Sequence, residues 1–244
     1  MFCIPRQNTE RFFSERYGQT KMMNGNGRII IAPSILAADV LNLERDVRKI
    51  TEAGCDWIHV DVMDAHFVPN MAYTASVVKA LNARFDTPLD VHLMMDEPEK
   101  YADEFLDAGA DVLTIHSEIR GDVRALLEHI RNRGVKAGLA VKPGTPVSQF
   151  AGYLDLADMV LTMTVEPGFG GQKLDPTVAD KIRELRKNGY TGLIEADGGI
   201  NEQNLPMLVN AGLTAAVMGT AVFRSTDTAG MISRLHEIRT EDTV

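Results

Sequence analysis

The sequence predicts an α/β protein folded as a single (β/α)8 barrel of the TIM type, with parallel strands. Three observations predict it. Short apolar runs alternate with stretches in which apolar residues recur every three or four positions, the pattern of strands and helices in a parallel sheet. The alternation repeats eight times, which favours a closed barrel over an open sheet. The chain has 244 residues, long for an ordinary domain but usual for one barrel of about 250.

The first expected strand is Ile29–Ser34, and the helical segment NLERDVRKITEAG follows it. Trp57–Val62 is the second strand. Leu89–Met94 is the third, followed by EKYADEFLDAG. Val112–His116 is the fourth, followed by DVRALLEHIRNRG. Ala137–Val141 and Met159–Met163 are the fifth and sixth, with VADKIRELRKNG after the latter. Leu193–Ala196 and Ala215–Met218 complete the set. Several helical stretches end in a glycine just before the next strand: Gly54, Gly109, Gly134, Gly189 and Gly212. Glycine there supplies a left-handed C-terminal cap. Residues 29–240 form one catalytic unit in this reading, with no linker or second domain. Residues 1–28 stand apart: Arg6, Arg11, Arg16, Lys21 and Arg28 face only Glu10 and Glu15. They read as a disordered extension or a start assigned upstream of Met22 or Met23, with an organelle-targeting peptide as the alternative.

Hydrophobic residues make up 45% of the chain, enough for a substantial core, and the formal net charge is −9. So acidic a chain is poorly suited to neutralising the phosphates of a nucleic acid. It is still able to hold a small phosphate through backbone amides. The only cysteines are Cys3 and Cys55, so no disulfide framework is indicated. No apolar run approaches the roughly 18 residues of a membrane span. The default location is the cytoplasm.

Four metal-capable side chains fall where a barrel keeps its chemistry, at the C-terminal ends of strands. They are His59 and Asp61 on the second strand, His92 on the third and Asp197 after the seventh. Alternation puts His59 and Asp61 on one face of their strand. Two imidazoles and two carboxylates can hold one divalent ion, and mixed nitrogen and oxygen ligands suit Zn²⁺, Fe²⁺, Mn²⁺ or Co²⁺. The two carboxylates can also move protons.

Pro167-Gly168-Phe169-Gly170-Gly171-Gln172 follows the sixth strand, and three glycines in four residues let backbone N–H groups approach an anion. Gly198-Gly199 and Gly219-Thr220-Ala221 follow the seventh and eighth strands, where barrels frequently bind phosphate. Met63, Met94 and Met163 sit at or near strand ends and are candidates for an apolar floor under a flat intermediate. Ser34 ends the first strand, its hydroxyl placed to bond a substrate oxygen or a carboxylate. His66 reads as structural or substrate-facing. His116 reads more readily as a core residue than as a pocket one, and His129 and His236 as surface residues.

The strings IAPSILAAD, HVDVMDAHFVPN, LDVHLM, AGADVLTIH, MTVEPGFGGQ, EADGGI and MGTAVF together resemble the ribulose-phosphate 3-epimerase family, in the family's order over about residues 30–223. The resemblance implies a (β/α)8 barrel with one divalent metal. It implies His59, Asp61, His92 and Asp197 as ligands, and Asp61 and Asp197 as the proton-transfer pair. Ser34 and His92 would contact substrate. Gly168 to Gly171, Gly198, Gly199, Gly219 and Thr220 would hold its phosphate. A homo-oligomer is expected by resemblance alone. Two positions depart from the family pattern: Ala37 stands where serine is common, and Ala65 where glycine or asparagine is common. Ala65 follows Asp64 at the expected mouth and is a candidate to reshape the entrance.

The implied reaction is inversion at C3 of a 2-keto sugar phosphate such as D-ribulose 5-phosphate, giving D-xylulose 5-phosphate through an enediolate in the pentose phosphate pathway. A cation near the C2 and C3 oxygens would stabilise that charge as a Lewis acid. Inversion takes a proton from one face and returns one to the other, which two carboxylates can do in turn. Three other readings stand beside it. One is a hexulose-6-phosphate 3-epimerase, for example on allulose 6-phosphate. Another is a non-catalytic phosphate-binding barrel. The third is an aldolase or decarboxylase, for which Lys142 is the nearest Schiff-base candidate.

Overall fold

The computed structural model describes residues 28–239. The predicted extension lies outside the described residues except for Arg28, and so does Thr240, the expected end of the barrel.

Among the described residues nine strands make one sheet: β1 (Ile30–Ala32), β2 (Ile58–Asp64), β3 (Met71–Ala72), β4 (Leu89–Met94), β5 (Val112–His116), β6 (Lys136–Val141), β7 (Met159–Met163), β8 (Leu193–Asp197) and β9 (Ala215–Val217). Their order is β1-β9-β8-β7-β6-β5-β4-β2-β3. Every pairing is parallel except β2 with β3. The ring closes between β1 and β2 through a parallel bridge of Ser34 with His59. There the His59 N–H donates to Pro33 O at 3.1 Å and the Asp56 N–H to Ile31 O at 3.0 Å. All eight expected strands are present. β1 is shorter than expected and is followed by Pro33, which has no N–H to offer a ladder. β8 runs one residue further, so Asp197 ends the strand rather than following it. β3 was not anticipated, because two residues carry no readable period.

The helical connections are α1 (Leu43–Glu52), α2 (Ala75–Asn82), α3 (Ala102–Ala108), α4 (Val123–Asn132), α5 (Val147–Phe150), α6 (Val178–Lys187), α7 (Leu205–Asn210), α8 (Thr220–Phe223) and α9 (Thr228–Glu237). Each lays its apolar stripe on the outside of the sheet; α4, for example, buries Val123, Leu126, Leu127 and Ile130. The five expected cap glycines all have positive φ, from 76° to 108°. At Gly109 space matters too, since a Cβ would come within 2.1 Å of the Asn82 side chain.

Alternation sorts each strand into two faces. Val60, Val62, Val91, Leu93, Leu113, Ile115 and Leu139 pack outward in the helix-covered core. Facing inward, Ile30, Trp57, Val112, Met159, Leu193 and Ala215 plug the N-terminal end. Fully burying one such large side chain stabilises by about 1.5–3 kcal/mol. Above this floor, toward the C-terminal mouth, the inward layers carry the buried polar residues His59, Asp61, Asp90, His92, Thr114 and Glu195.

The opposite end of the barrel is pinned by Asp56, which is buried. It accepts from the Ile31 N–H at 2.9 Å, lies 2.7 Å from His236 Nε2 and pairs with Arg28. His236 is therefore not the surface residue its helical position suggested; α9 turns it onto a buried carboxylate. His129 does lie on the surface, paired with Asp103 at 3.0 Å. Among the described residues no helix is long and apolar enough to cross a membrane.

Candidate active site

The register of the sheet assembles the site. Asp61 on β2 lies beside His92 on β4, and Met63 beside Met94. Met163 on β7 lies beside Asp197 on β8. Strands that close into a ring bring these inward-facing ends together. One ligand atom from each of His59, Asp61, His92 and Asp197 falls within 4.8 Å of the others. His59, Asp61 and His92 are buried, and Asp197 is half-buried.

Two imidazole nitrogens in this cluster, His59 Nε2 and His92 Nδ1, are buried with no hydrogen-bond partner. They lie 3.3 Å and 3.5 Å from Asp61 Oδ1. Unpartnered buried polar atoms are costly, and lone pairs converging beside carboxylates fit a cation. The other nitrogen of His59, Nδ1, sits 2.5 Å from Asp90 Oδ2. That contact holds the ring and leaves Nε2 facing the cluster.

The electrostatics agree with such a fit. Burial, the largest influence on His59, disfavours its charged form, but Asp90 and Asp61 together outweigh it and raise its pKa well above the ordinary value. Positive charge is therefore favoured at this point, as a proton or as a metal ion. Burial also acts to raise Asp61, and His59 and His92 reverse it, holding the carboxyl far below its usual range. Ser34 Oγ donates to Asp61 Oδ2 at 2.5 Å. Asp197 goes the other way: burial first, then the charge of Asp61, push it up to about 7. Glu195, one inward layer below, is raised well above its ordinary range by burial and then by the charge of Asp90, which favours its protonated form. His59, Asp90 and Glu195 also lie close enough together to share an ion, wholly buried and outside the cavity lining.

Above the cluster opens a cavity of about 610 Å³. Its floor is Asp61, Asp197, Ser34 and the three methionines Met63, Met94 and Met163. Its wall is formed by the three glycine turns, with Gly168, Phe169, Gly170, Gly171, Gly198, Gly199, Gly219 and Thr220 all lining it. Two of these positions admit no side chain. Gly199 has φ 63°, and a Cβ there would lie 2.5 Å from both Gln172 O and Leu174 N. Gly198 has φ 123°, and its Cβ would meet Thr164 Oγ1 at 2.5 Å. The turn after β7 is tied to the loop after β2, where Asn70 Nδ2 donates to Gly168 O at 2.7 Å.

Some expectations fall differently. His59 and His92 are wholly buried beneath the floor and do not line the cavity. His66 is exposed in the loop after β2, its N–H bonded to Asp64 Oδ1 at 2.8 Å, away from the cavity lining. Ala65 is also outside the lining, whereas Ala37 is in it. Lys142 does not line it either; its ammonium lies 4.2 Å from the centroid of the Phe67 ring. Arg224 and Asn201 do line it, and sequence reasoning missed both because neither belongs to a glycine turn or a strand end. Asp90 was also missed, although its place two residues before His92 on the inward face of β4 marks it.

A sequence model described as the Ribulose-phosphate 3 epimerase family matches residues 30–223. The ribulose-phosphate 3-epimerase of Bacillus subtilis is 42% identical over 212 residues, which cover 85% of this chain and 98% of that protein. The chloroplastic ribulose-5-phosphate-3-epimerase of Arabidopsis thaliana is 44% identical over 210 residues, 84% of this chain and 75% of that one. Among solved structures, tryptophan synthase of Mycobacterium tuberculosis aligns with a TM-score of 0.65 at 14% identity, covering 91% of this chain and 97% of that one. That likeness concerns the fold alone.

Proposed function

The chain belongs to the ribulose-phosphate 3-epimerase family and is an isomerase; from that premise we propose that it interconverts D-ribulose 5-phosphate and D-xylulose 5-phosphate, using one divalent metal ion and two carboxylates. The observation that carries this reading is the pair of buried, unpartnered imidazole nitrogens, His59 Nε2 and His92 Nδ1, converging with Asp61 and Asp197 beneath a cavity. His59, Asp61, His92 and Asp197 would hold the ion, which when bound supplies Lewis-acid stabilisation of enediolate charge.

The rest is done by the chain's own groups. The phosphate end of the substrate lies against the turns after β7, β8 and β9 that line the cavity, where Gly170 and Gly171 have open space beside their backbone for an anion to approach the amides. The sugar then extends over the methionine floor toward the two carboxylates. Asp61 and Asp197, whose surroundings in the metal-free chain push their protonation in opposite directions, form the pair that one-face removal and other-face return of the C3 proton require. Their roles exchange in the reverse direction. Ser34 fixes the orientation of Asp61 through its hydroxyl. Met63, Met94 and Met163 present apolar surface to the planar intermediate and exclude water that would reprotonate it at random. Residues 29–240 are the catalytic unit in this proposal.

The test is proton–deuterium exchange at C3 of ribulose 5-phosphate in D₂O, followed by NMR with Fe²⁺, Mn²⁺, Zn²⁺ or Co²⁺ and with a chelated control. Metal-dependent deuterium incorporation together with xylulose 5-phosphate is the expected result. Folded protein that exchanges nothing with any metal would sink the proposal. Faster exchange on a six-carbon ketose phosphate would move the substrate, not the chemistry.

A further inference from the structure

Behind the metal-capable cluster, a line of buried polar contacts runs outward from His92, and the proton transfer proposed above makes no use of it. His92 presents Nδ1 to Asp61 and Nε2 to His116, whose own Nε2 is 2.9 Å away. His116 presents Nδ1 to Glu118 Oε2 at 3.1 Å. The other oxygen of Glu118, Oε1, accepts from the Lys142 N–H at 2.9 Å and from Thr145 Oγ1. Phe67 covers the His116 ring with centroids 4.6 Å apart. Both imidazoles are wholly buried, so the link between them is closed to water, while Glu118 at the outer end is part-exposed.

The direction of every proton in this line follows from its outer end. A carboxylate only accepts, and two donors already fix the far oxygen of Glu118. His116 must therefore carry hydrogen on Nδ1, which leaves a lone pair on Nε2. Two facing nitrogens 2.9 Å apart share one hydrogen, so it resides on His92 Nε2. His92 is left with its lone pair on Nδ1, the nitrogen that faces the cluster. The opposite tautomer would point an N–H at the ion and could not coordinate it.

We propose that His116 and Glu118 are positioning residues of the metal centre, which hold His92 in the one tautomer that can be a ligand. His59 is anchored to a carboxylate directly, by Asp90; His92 reaches its carboxylate through a second imidazole. The inference rests on the metal-site reading given above.

The test uses the full chain with ¹⁵N-labelled histidine. Long-range ¹H–¹⁵N correlation of the metal-free protein reads each ring's tautomer, and His92→Gln identifies the His92 signals. Co²⁺ titration followed by its visible absorption reads affinity and coordination. In the unsubstituted chain His92 is expected to carry hydrogen on Nε2. His116→Leu removes the acceptor, and the His92 tautomer is expected to shift toward Nδ1–H with Co²⁺ affinity falling about 10–100-fold. His116→Gln, whose amide oxygen can accept from Nε2–H, is expected to restore both. Glu118→Gln keeps the test open should His116→Leu not fold. Its oxygen is drawn to the two donors at Lys142 and Thr145, so its NH₂ turns to His116 and reverses the line. An unchanged His92 tautomer and an unchanged Co²⁺ dissociation constant in both His116→Leu and Glu118→Gln would overturn the proposal. Failure of the unsubstituted chain to bind Co²⁺ overturns the metal-site reading instead, and the tautomer measurement still decides whether His116 and Glu118 govern His92.

Discussion

Asp61 and Asp197 bring carboxylate oxygens within 4.8 Å of each other, yet their surroundings drive their protonation in opposite directions. Asp61 has two imidazoles and a serine hydroxyl around it, and they overcome the burial that would raise it. Asp197 has burial and, next, the charge of Asp61 itself, which push it up to about 7. Two like carboxyls are thereby set apart in proton affinity, the condition from which paired acid–base chemistry starts. On the proposed mechanism Asp197→Asn keeps the shape and one oxygen but cannot exchange a proton. Turnover should fall about 10²–10⁴-fold while Co²⁺ still binds. Near-normal epimerisation by the metal-loaded variant, measured as xylulose 5-phosphate formed, would dispose of the two-carboxylate scheme.

The buried histidine of the positioning line predicts a pH signature in the metal-free protein. Burial, the largest influence, brings His116 down to about 4 from an ordinary 6.5; the Glu118 carboxylate opposes this, and the neighbouring His92 and Lys142 add to it. In the window between those values the unfolded chain binds a proton at this histidine and the folded chain does not. Stability therefore rises with pH across the window, and this contribution is lost as pH falls from 6.5 toward 4. The full effect of such a shift is about 3 kcal/mol. Asp197, Glu195 and His59 titrate in the same protein, so the informative quantity is the difference between the unsubstituted chain and His116→Gln. Urea denaturation at intervals from pH 7 to pH 4 should show the two stabilities converging as pH falls. Parallel curves would contradict the neutral, buried His116.

The fold and the four metal-capable residues were legible because both rest on local periodicity. Trp57, His59, Asp61 and Met63 share an inward face by alternation alone, and the run of strand ends points to His92 and the cluster's carboxylates. The supporting network was not legible. The contact of His92 with His116 depends on the lateral pairing of β4 with β5 and on how a closed ring turns two rings toward each other. Glu118, two residues past the end of β5, declares nothing in sequence, since an exposed-looking acid in a loop is ordinary. His236 misled for the same reason: a helical position says which face a side chain leaves by, and not that Asp56 waits beneath it.

The glycine turns carry a steric prediction that needs no assumption about metal. Gly199 has φ 63°, and any Cβ there meets the backbone of residues 172 to 174, not a movable side chain. Gly199→Ala must displace that backbone, and with it the turn from Gly168 to Gly171. A left-handed alanine costs about 1–2 kcal/mol, and the overpacking adds about 1–3 kcal/mol. Ribulose 5-phosphate should show a KM raised about 10-fold, corresponding to about 1.4 kcal/mol of lost binding, with a smaller change in kcat. A KM that stays put in a destabilised but folded variant would separate this turn from phosphate binding.

Ala65 is the one described non-glycine residue with positive φ, at 60°. The turn around it is otherwise well made: Asp64 Oδ1 accepts from the N–H groups of His66 and Phe67, and the Ala65 N–H donates to Asn70 O at 2.9 Å. These bonds hold alanine where a Cβ is penalised, which explains physically why glycine or asparagine suits the position. Glycine would remove the penalty but enlarge the freedom of the unfolded chain. Asparagine tolerates the left-handed region without that second cost. Ala65→Asn should therefore raise stability by about 0.5–1 kcal/mol, and Tm by about 1–4 °C for a chain of this size. Ala65→Val, β-branched in the same conformation, should lower both. Because Ala65 does not line the cavity, Ala65→Asn should leave kcat and KM within about twofold. A melting point that fails to rise would mean that the turn relaxes around alanine more readily than its hydrogen bonds suggest.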